Sequence, residues 1–214
     1  MKLLSDFRRK VRLRVRQCPT VIIDEAIRDA AIEFCHFTYT WREELDAIRV
    51  RDGVSDYEID APPYGRLNHI LYVSHSGVRI MPTSEQLLDD TESGWRTSEA
   101  KVAQWYYSPD KETIRIALTP TETESRALSI TATFKPKVDA IKLPNHLYDD
   151  HLEAISNGAL MRLFEMSGEA WENAPGSALA RALFDKAKMN EKAERLNDYN
   201  RTSSLTIRPI NYYD

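Results

Sequence analysis

The spacing of apolar residues changes period twice along this chain, from the three-to-four repeat of a helix to strand alternation and back. The two periods bury different faces, so one segment cannot serve both, and the order helix–strand–helix is set before any packing is considered. Near the N-terminus Leu4, Phe7, Val11 and Val15 recur at steps of 3, 4 and 4, which predicts a helix from Leu4 to Arg16, although Val11, Leu13 and Val15 also alternate. Gln17-Cys18-Pro19-Thr20 breaks that pattern, with Thr20 placed to cap the next helix. Ile23, Ile27, Ala30, Phe34 and Thr38 then predict an amphipathic helix over about 20–40.

Between residues 47 and 138 the period is two. Short strand-like pieces lie near 47–51, 57–60, 69–74, 78–81, 102–107, 113–118 and 127–134, separated by turn residues such as Asp52-Gly53, Ser76-Gly77, Ser108-Pro109-Asp110 and Thr119-Pro120. Thr83-Ser84-Glu85-Gln86 opens a short capped helix among them. Helical spacing resumes after Leu143-Pro144-Asn145 with Leu152, Ile155, Ala159 and Leu163, and Gly158 leaves room for a close helix neighbour. This helix is expected to stop near Met166-Ser167-Gly168, and a linker from Trp171 to Gly176 leads to a last helix running to about Asn200. Its expected inner face is Leu179, Leu183, Ala187, Asn190 and Ala193. The predicted class is α+β: a small helical bundle built from both chain ends, with an inserted, mostly antiparallel β unit in meander or sandwich form. In domain terms, 1–46 plus 139–201 form the bundle, 47–138 the β insert, and 202–214 a C-terminal docking tail.

Composition narrows the function classes. With 42% apolar and 29% charged residues and a net charge of −4, the 214-residue chain suits a folded protein with no global attraction to nucleic acid or anionic membranes. No apolar run approaches a membrane span, so no membrane partner is expected. The N-terminus turns basic before any signal-type apolar stretch, and two cysteines, Cys18 and Cys35, cannot build a disulfide framework; a reducing compartment is expected.

The search for chemistry finds no phosphate-cradling glycine loop and no nucleophile elbow, so no enzyme activity, cofactor or metal is expected. Cys35 and His36 are sequence neighbours and do not face each other on a helix; they read as a core cysteine beside a boundary histidine. His146, Asp149, Asp150 and His151 cluster, but a spacing of five puts the two rings on different helix faces, as in a solvated first turn. Arg8, Arg9, Lys10, Arg12, Arg14 and Arg16 form a basic run without an interleaved acid. It is either a solvated face paired with acids elsewhere or a surface for phosphates or a carboxylate-rich subunit, touching backbone without sequence readout. The tail, with Leu205, Ile207, Arg208, Pro209, Ile210, Tyr212 and Tyr213, is too apolar to be left exposed and suits docking on a partner.

The order of pieces resembles the head-to-tail adaptor (connector) proteins of tailed bacteriophages. The second helix, Ile22-Ile23-Asp24-Glu25-Ala26-Ile27-Arg28-Asp29-Ala30-Ala31-Ile32-Glu33-Phe34-Cys35, carries the resemblance with Thr38 and Trp41. So do Asp52-Gly53, Tyr57-Glu58-Ile59, Trp95, Tyr106-Tyr107 and Ile114-Arg115-Ile116-Ala117-Leu118-Thr119-Pro120. Its most specific part is Leu143-Pro144, Ala154-Ile155-Ser156-Asn157-Gly158-Ala159-Leu160 and Leu163, then Trp171-Glu172-Asn173-Ala174-Pro175, Ala178 and Phe184. Glu99-Ala100-Lys101-Val102 departs from it, standing where such proteins often have a Gly/Pro-rich turn. The resemblance implies a structural virion protein at the head–tail junction, assembled in the host cytoplasm. It implies a ring with copies of itself, commonly twelve, between the portal protein and a tail or nozzle protein. Genomic DNA would pass through that ring without sequence-specific recognition. The tail residues would dock on the portal, and the basic run would meet a neighbouring subunit, through Glu191, Glu194 and Asp198, or the DNA channel. The alternative function is a nucleic-acid-binding module using segment 8–16.

Overall fold

A computed structural model describes residues 1–92 and 94–196. Helix α1 (Leu4–Arg12) buries Leu4, Phe7 and Val11, the predicted stripe, and the Asp6 carboxylate accepts the N–H of Leu3 at 3.1 Å at its start. The helix stops earlier than its pattern suggests. Arg14 and Arg16 sit in the turns that follow, although Val15 remains buried. Helix α2 (Thr20–Thr38) buries Ile23, Ile27, Ala30, Phe34 and Thr38 as expected. Its cap is Pro19 rather than Thr20: proline supplies the extended entry, and Thr20 is the first helical residue.

The β insert joins short strands into two main sheets. In the first, Arg42–Glu44, Glu124–Pro136, Gly65–His75 and Val78–Arg79 lie side by side, and Ile48–Val50 also pairs with Glu124–Pro136. Two register shifts in the long pair, at Thr131/Ala132 and Thr133/Phe134, bend it. The second sheet orders Asp56–Glu58, Thr113–Ala117, Trp105–Tyr107 and Met81–Pro82. Most pairings are antiparallel, the exceptions being Met81–Pro82 with Trp105–Tyr107 and Thr119–Pro120 with Glu99–Ala100. The Ser76-Gly77 turn closes a hairpin with both residues at positive φ, a conformation that needs glycine at the second position. Asp52-Gly53 does turn the chain, but not into a hairpin: the strands on its two sides belong to different sheets. Helix α3 (Glu85–Thr91) is capped by Ser84, whose hydroxyl accepts the N–H of Leu87 at 3.2 Å.

The chain then returns to the bundle through Lys142–Leu143, which pairs antiparallel with Lys2–Leu3. Helices α4 (Asn145–Asp149), α5 (Leu152–Phe164) and α6 (Ala174–Leu196) follow. Asn173 caps α6, its Oδ1 accepting the N–H of Gly176 at 3.0 Å, so the helix opens before Pro175-Gly176 rather than after. Proline costs nothing in a first turn, which is why the end of the expected linker, residues 174–176, is helical. The expected end near Asn200 lies outside the described residues.

Helices α2, α5 and α6 pack on one another, with α1 against α2 and α5. The contact is close at Gly158, where a Cβ would come within 2.8 Å of Phe184 Cε2 and 2.9 Å of Ala30 Cβ. Glu33 of α2 ties the three together, accepting from Lys188 Nζ of α6 at 2.5 Å and from Arg162 of α5. Burial opposes its charge, yet these two cations hold the Glu33 carboxyl below the usual range. One hydrophobic cluster runs from Phe7 and Phe34 through Phe134 and Ile130 to Ile114 and Tyr106, so bundle and sheets share a core.

The inner face of α6 differs from the expected one. Ser177, Ala180, Phe184 and Glu191 are buried, whereas Leu179, Leu183, Asn190 and Ala193 lie on the exposed side and Ala187 at the boundary. Small residues at 177 and 180 allow α5 to approach, and the Ser177 hydroxyl donates to the Met161 carbonyl at 3.0 Å. Lys188 and Glu191 find partners inside, so polar residues occupy positions that hydrophobicity assigns to the surface.

Gly158→Ala is expected to lower stability by about 1–3 kcal/mol, despite the better helix propensity of alanine, because the added methyl meets two packed side chains. Urea denaturation checks this; an unchanged or raised midpoint would mean that the junction tolerates wider spacing.

Candidate assembly surfaces

The basic run is divided by the fold. Arg8 turns inward and forms a two-pronged pair with Asp24 of α2, at 2.5 Å from Nε and 2.6 Å from Nη2. Lys10 reaches Glu153 of α5 at 3.6 Å across an exposed surface. Arg9, Arg12, Arg14 and Arg16 are exposed and make no ion pair with any described residue. The run is thus partly a structural clasp and partly an open cationic surface surrounding Leu13, which is itself 67% exposed. The sequence pattern could not separate the two uses, because Asp24 is brought to Arg8 only by the α1–α2 turn.

The other expected docking residues, Leu205, Ile207, Arg208, Pro209, Ile210, Tyr212 and Tyr213, lie outside the described residues, as does Asp198. Glu191 is described, and it cannot serve a neighbour. It is 5% exposed, accepts from the Thr40 hydroxyl at 2.8 Å, and lies 3.6 Å from His151 Nε2. Of the α6 acids expected to face a basic partner, Glu194 is exposed.

The histidine cluster is also internal. A break between α4 and α5 falls between His146 and His151, so their spacing of five no longer separates them, and the rings meet edge to face at 6.5 Å. His151 also lies against Phe34 at 4.9 Å, and His146 Nε2 is buried with no hydrogen-bond partner. Burial drives both histidines toward the neutral form, His146 down to about 4. The expectation of a solvated helical turn holds for Asp149 and Asp150, which are exposed, and fails for the two histidines. Among the described residues, no group of three or more His, Cys, Asp or Glu side chains is arranged to hold a metal ion. Cys35 is fully buried, and His36 is exposed and bonds Asn68 Oδ1 at 2.7 Å, so the two read as core and boundary residues.

The insert has a cleft of about 290 Å³ lined by Asp56, Trp95, Arg96 and Arg115. There Arg115 Nε donates to Asp56 at 2.5 Å, and Arg96 is shared between Asp89 and Glu85. Such mutual neutralisation fixes a surface rather than poising a proton donor or nucleophile. The insert also exposes apolar side chains along one region of sequence: Tyr72 (held beneath Arg79), Val78, Met81 and Leu87. No helix among the described residues is long and apolar enough to cross a membrane.

The fold is thus a bundle made from both chain ends, carrying a β insert and exposing charged and apolar side chains on separate surfaces. The family model described as SU10 adaptor protein matches residues 2–208, nearly the whole chain, and the chain belongs to that phage head–tail adaptor family. Membership gives it a structural role in binding neighbouring virion components. No curated protein matches it.

The buried histidines predict an acid-sensitive bundle. The unfolded chain binds protons at histidine near pH 6.5, whereas folded His146 resists them to about 4. Stability is therefore complete above about 6.5 and falls as the pH drops toward 4. His146→Phe, which keeps the ring and removes the titration, is expected to flatten that decline in denaturant midpoints measured from pH 7.5 to 4.5. A variant with the same acid slope as the wild type would assign the decline to other groups.

Proposed function

We propose that the chain is the subunit of an adaptor ring between the portal and the tail or nozzle proteins, through which the genome passes. The bundle, residues 1–46 with 139–201, acts as the portal-side unit, and the insert, 47–138, as the tail-side unit. The segment 202–214 reaches onto the portal through Leu205, Ile207, Arg208, Pro209, Ile210, Tyr212 and Tyr213. The family match over 2–208 is the observation that carries this reading. The exposed apolar side chains of the insert, and the bundle arginines that pair with no described residue, support it, since both are surfaces that a partner would cover.

A second reading is favoured by one observation: Arg9, Arg12, Arg14 and Arg16 have no acid partner among the described residues and suit a phosphate backbone. As part of a ring they line or approach the channel; as an independent module they bind duplex directly.

Mixing the purified chain with portal rings of the same phage and imaging the product tests the proposal. Decorated portals are expected, with binding reduced at least tenfold when 202–214 are deleted. Equal binding by the truncated chain would remove the tail from the portal contact. Absent decoration, together with duplex affinity falling steeply with salt, would favour the nucleic-acid module.

A further inference from the structure

The bundle has two flanks. Helices α2 and α5 lie at its centre; α1 packs on both from one flank and α6 packs on both from the other. The outward side of α6 is apolar over its first half and carries the exposed Lys186 and Asn190 further along. Leu179, Leu183 and Met189 are 64%, 45% and 63% exposed, with Ala182 exposed among them. The charges along its edges are directed back into the chain: Arg181 pairs with Glu165, and Lys188 with Asp185 and Glu33. The opposite flank has its own exposed apolar residues, Leu13 at 67% and Val21 at 73%, next to Arg12, Arg14 and Arg16.

The two flanks are also matched in height and charge. Phe34 near the end of α2 meets His151 at the start of α5, and Ala30, earlier in α2, meets Gly158, later in α5, so α2 and α5 run antiparallel and the α1–α2 and α5–α6 turns lie at one end of the bundle. The α1–α2 turn is cationic, and its arginines form no ion pair among the described residues. The α5–α6 turn exposes Glu169 and Glu172, which form no ion pair among the described residues.

From this we infer that the α6 outward face (Leu179, Leu183, Met189) is the docking surface for the α1–α2 flank (Leu13, Val21, Arg12, Arg14) of a second copy of this chain. The inference deepens the proposed ring and rests on it. Two different surfaces at equal height on opposite flanks make a head-to-tail contact, which closes into a ring by rotation about an axis along the bundle. Each joint then has an apolar centre with a charged rim, and the arginines meet the acids of the next subunit's α5–α6 turn.

The test is cysteine cross-linking at high protein concentration, where the native Cys18 and Cys35 are buried. The double variant Leu13→Cys/Leu183→Cys, treated with a short bis-maleimide, is expected to give a ladder of covalent trimers and larger species, and each single variant only monomers. Dimers from Leu183→Cys alone would indicate a symmetric contact and overturn the inference. So would the absence of any ladder, or its loss on deleting 202–214, which would make the tail the occupant of the α6 face. Leu179→Asp/Leu183→Asp changes exposed positions and is expected to keep the wild-type melting temperature while weakening self-association at least tenfold in sedimentation. In the portal-imaging assay, a full ring of this variant would overturn the surface and leave the adaptor reading standing. Failure of the wild type to decorate portals would sink the adaptor reading, while a ladder would still establish the contact between copies.

Discussion

The close approach of α2, α5 and α6 at Gly158 is the contact on which the rest of the molecule depends. Two segments more than a hundred residues apart must meet to make a core that neither can make alone. Gly158 removes the side chain that would hold the helices apart, and Phe184 fills the space against Ala30 and Phe34. Dispersion contacts of this kind depend steeply on distance, so a small displacement would forfeit much of the packing.

Once the ends have closed, the β insert has both a base and a constraint. Phe134 packs beside Trp41 at the exit of α2, and its N–H donates to the Trp41 carbonyl at 2.7 Å. The long strands Gly65–His75 and Glu124–Pro136 then extend from that base, their register fixed because a slip by one residue would turn Ile130 and Ala132 away from the core. Further along, Trp95 and Tyr107 form a small second cluster with Leu88 and Ala117.

Charge is used in two ways. Inside, it is paired: Glu33 with Lys188 and Arg162, Glu191 with Thr40 near His151, and Arg8 with Asp24. Such pairs add little net stability after desolvation, but a misplaced helix would leave one of them unpaired, so they select a single arrangement. Outside, four arginines form no ion pair among the described residues, and Leu179, Leu183 and Met189 of α6 are exposed on the other flank. A catalytic protein concentrates perturbed groups around a cleft. Here His146 and His151 lie among the helices, whereas His69 and His75, also held toward the neutral form, lie on the strand Gly65–His75.

Much of this was legible from local pattern. The stripes Leu4-Phe7-Val11 and Ile23-Ile27-Ala30-Phe34, the Ser84 cap, the Ser76-Gly77 turn and the need for a glycine at 158 follow from side-chain periodicity, backbone conformation and size, and these determined the α+β class. Tertiary structure decided which surfaces were free. Leu179 and Leu183 read as core because hydrophobicity ranks leucine above lysine and glutamate, yet α6 turned Lys188 and Glu191 inward. His146 and His151 read as solvated because a continuous helix would separate them, yet a break brought them together. In each case the deciding term was the presence of a distant partner: Glu33, Thr40 or Phe34. The preference of a residue for water or core is local, but the free energy that overrides it comes from groups that only the folded chain brings within reach.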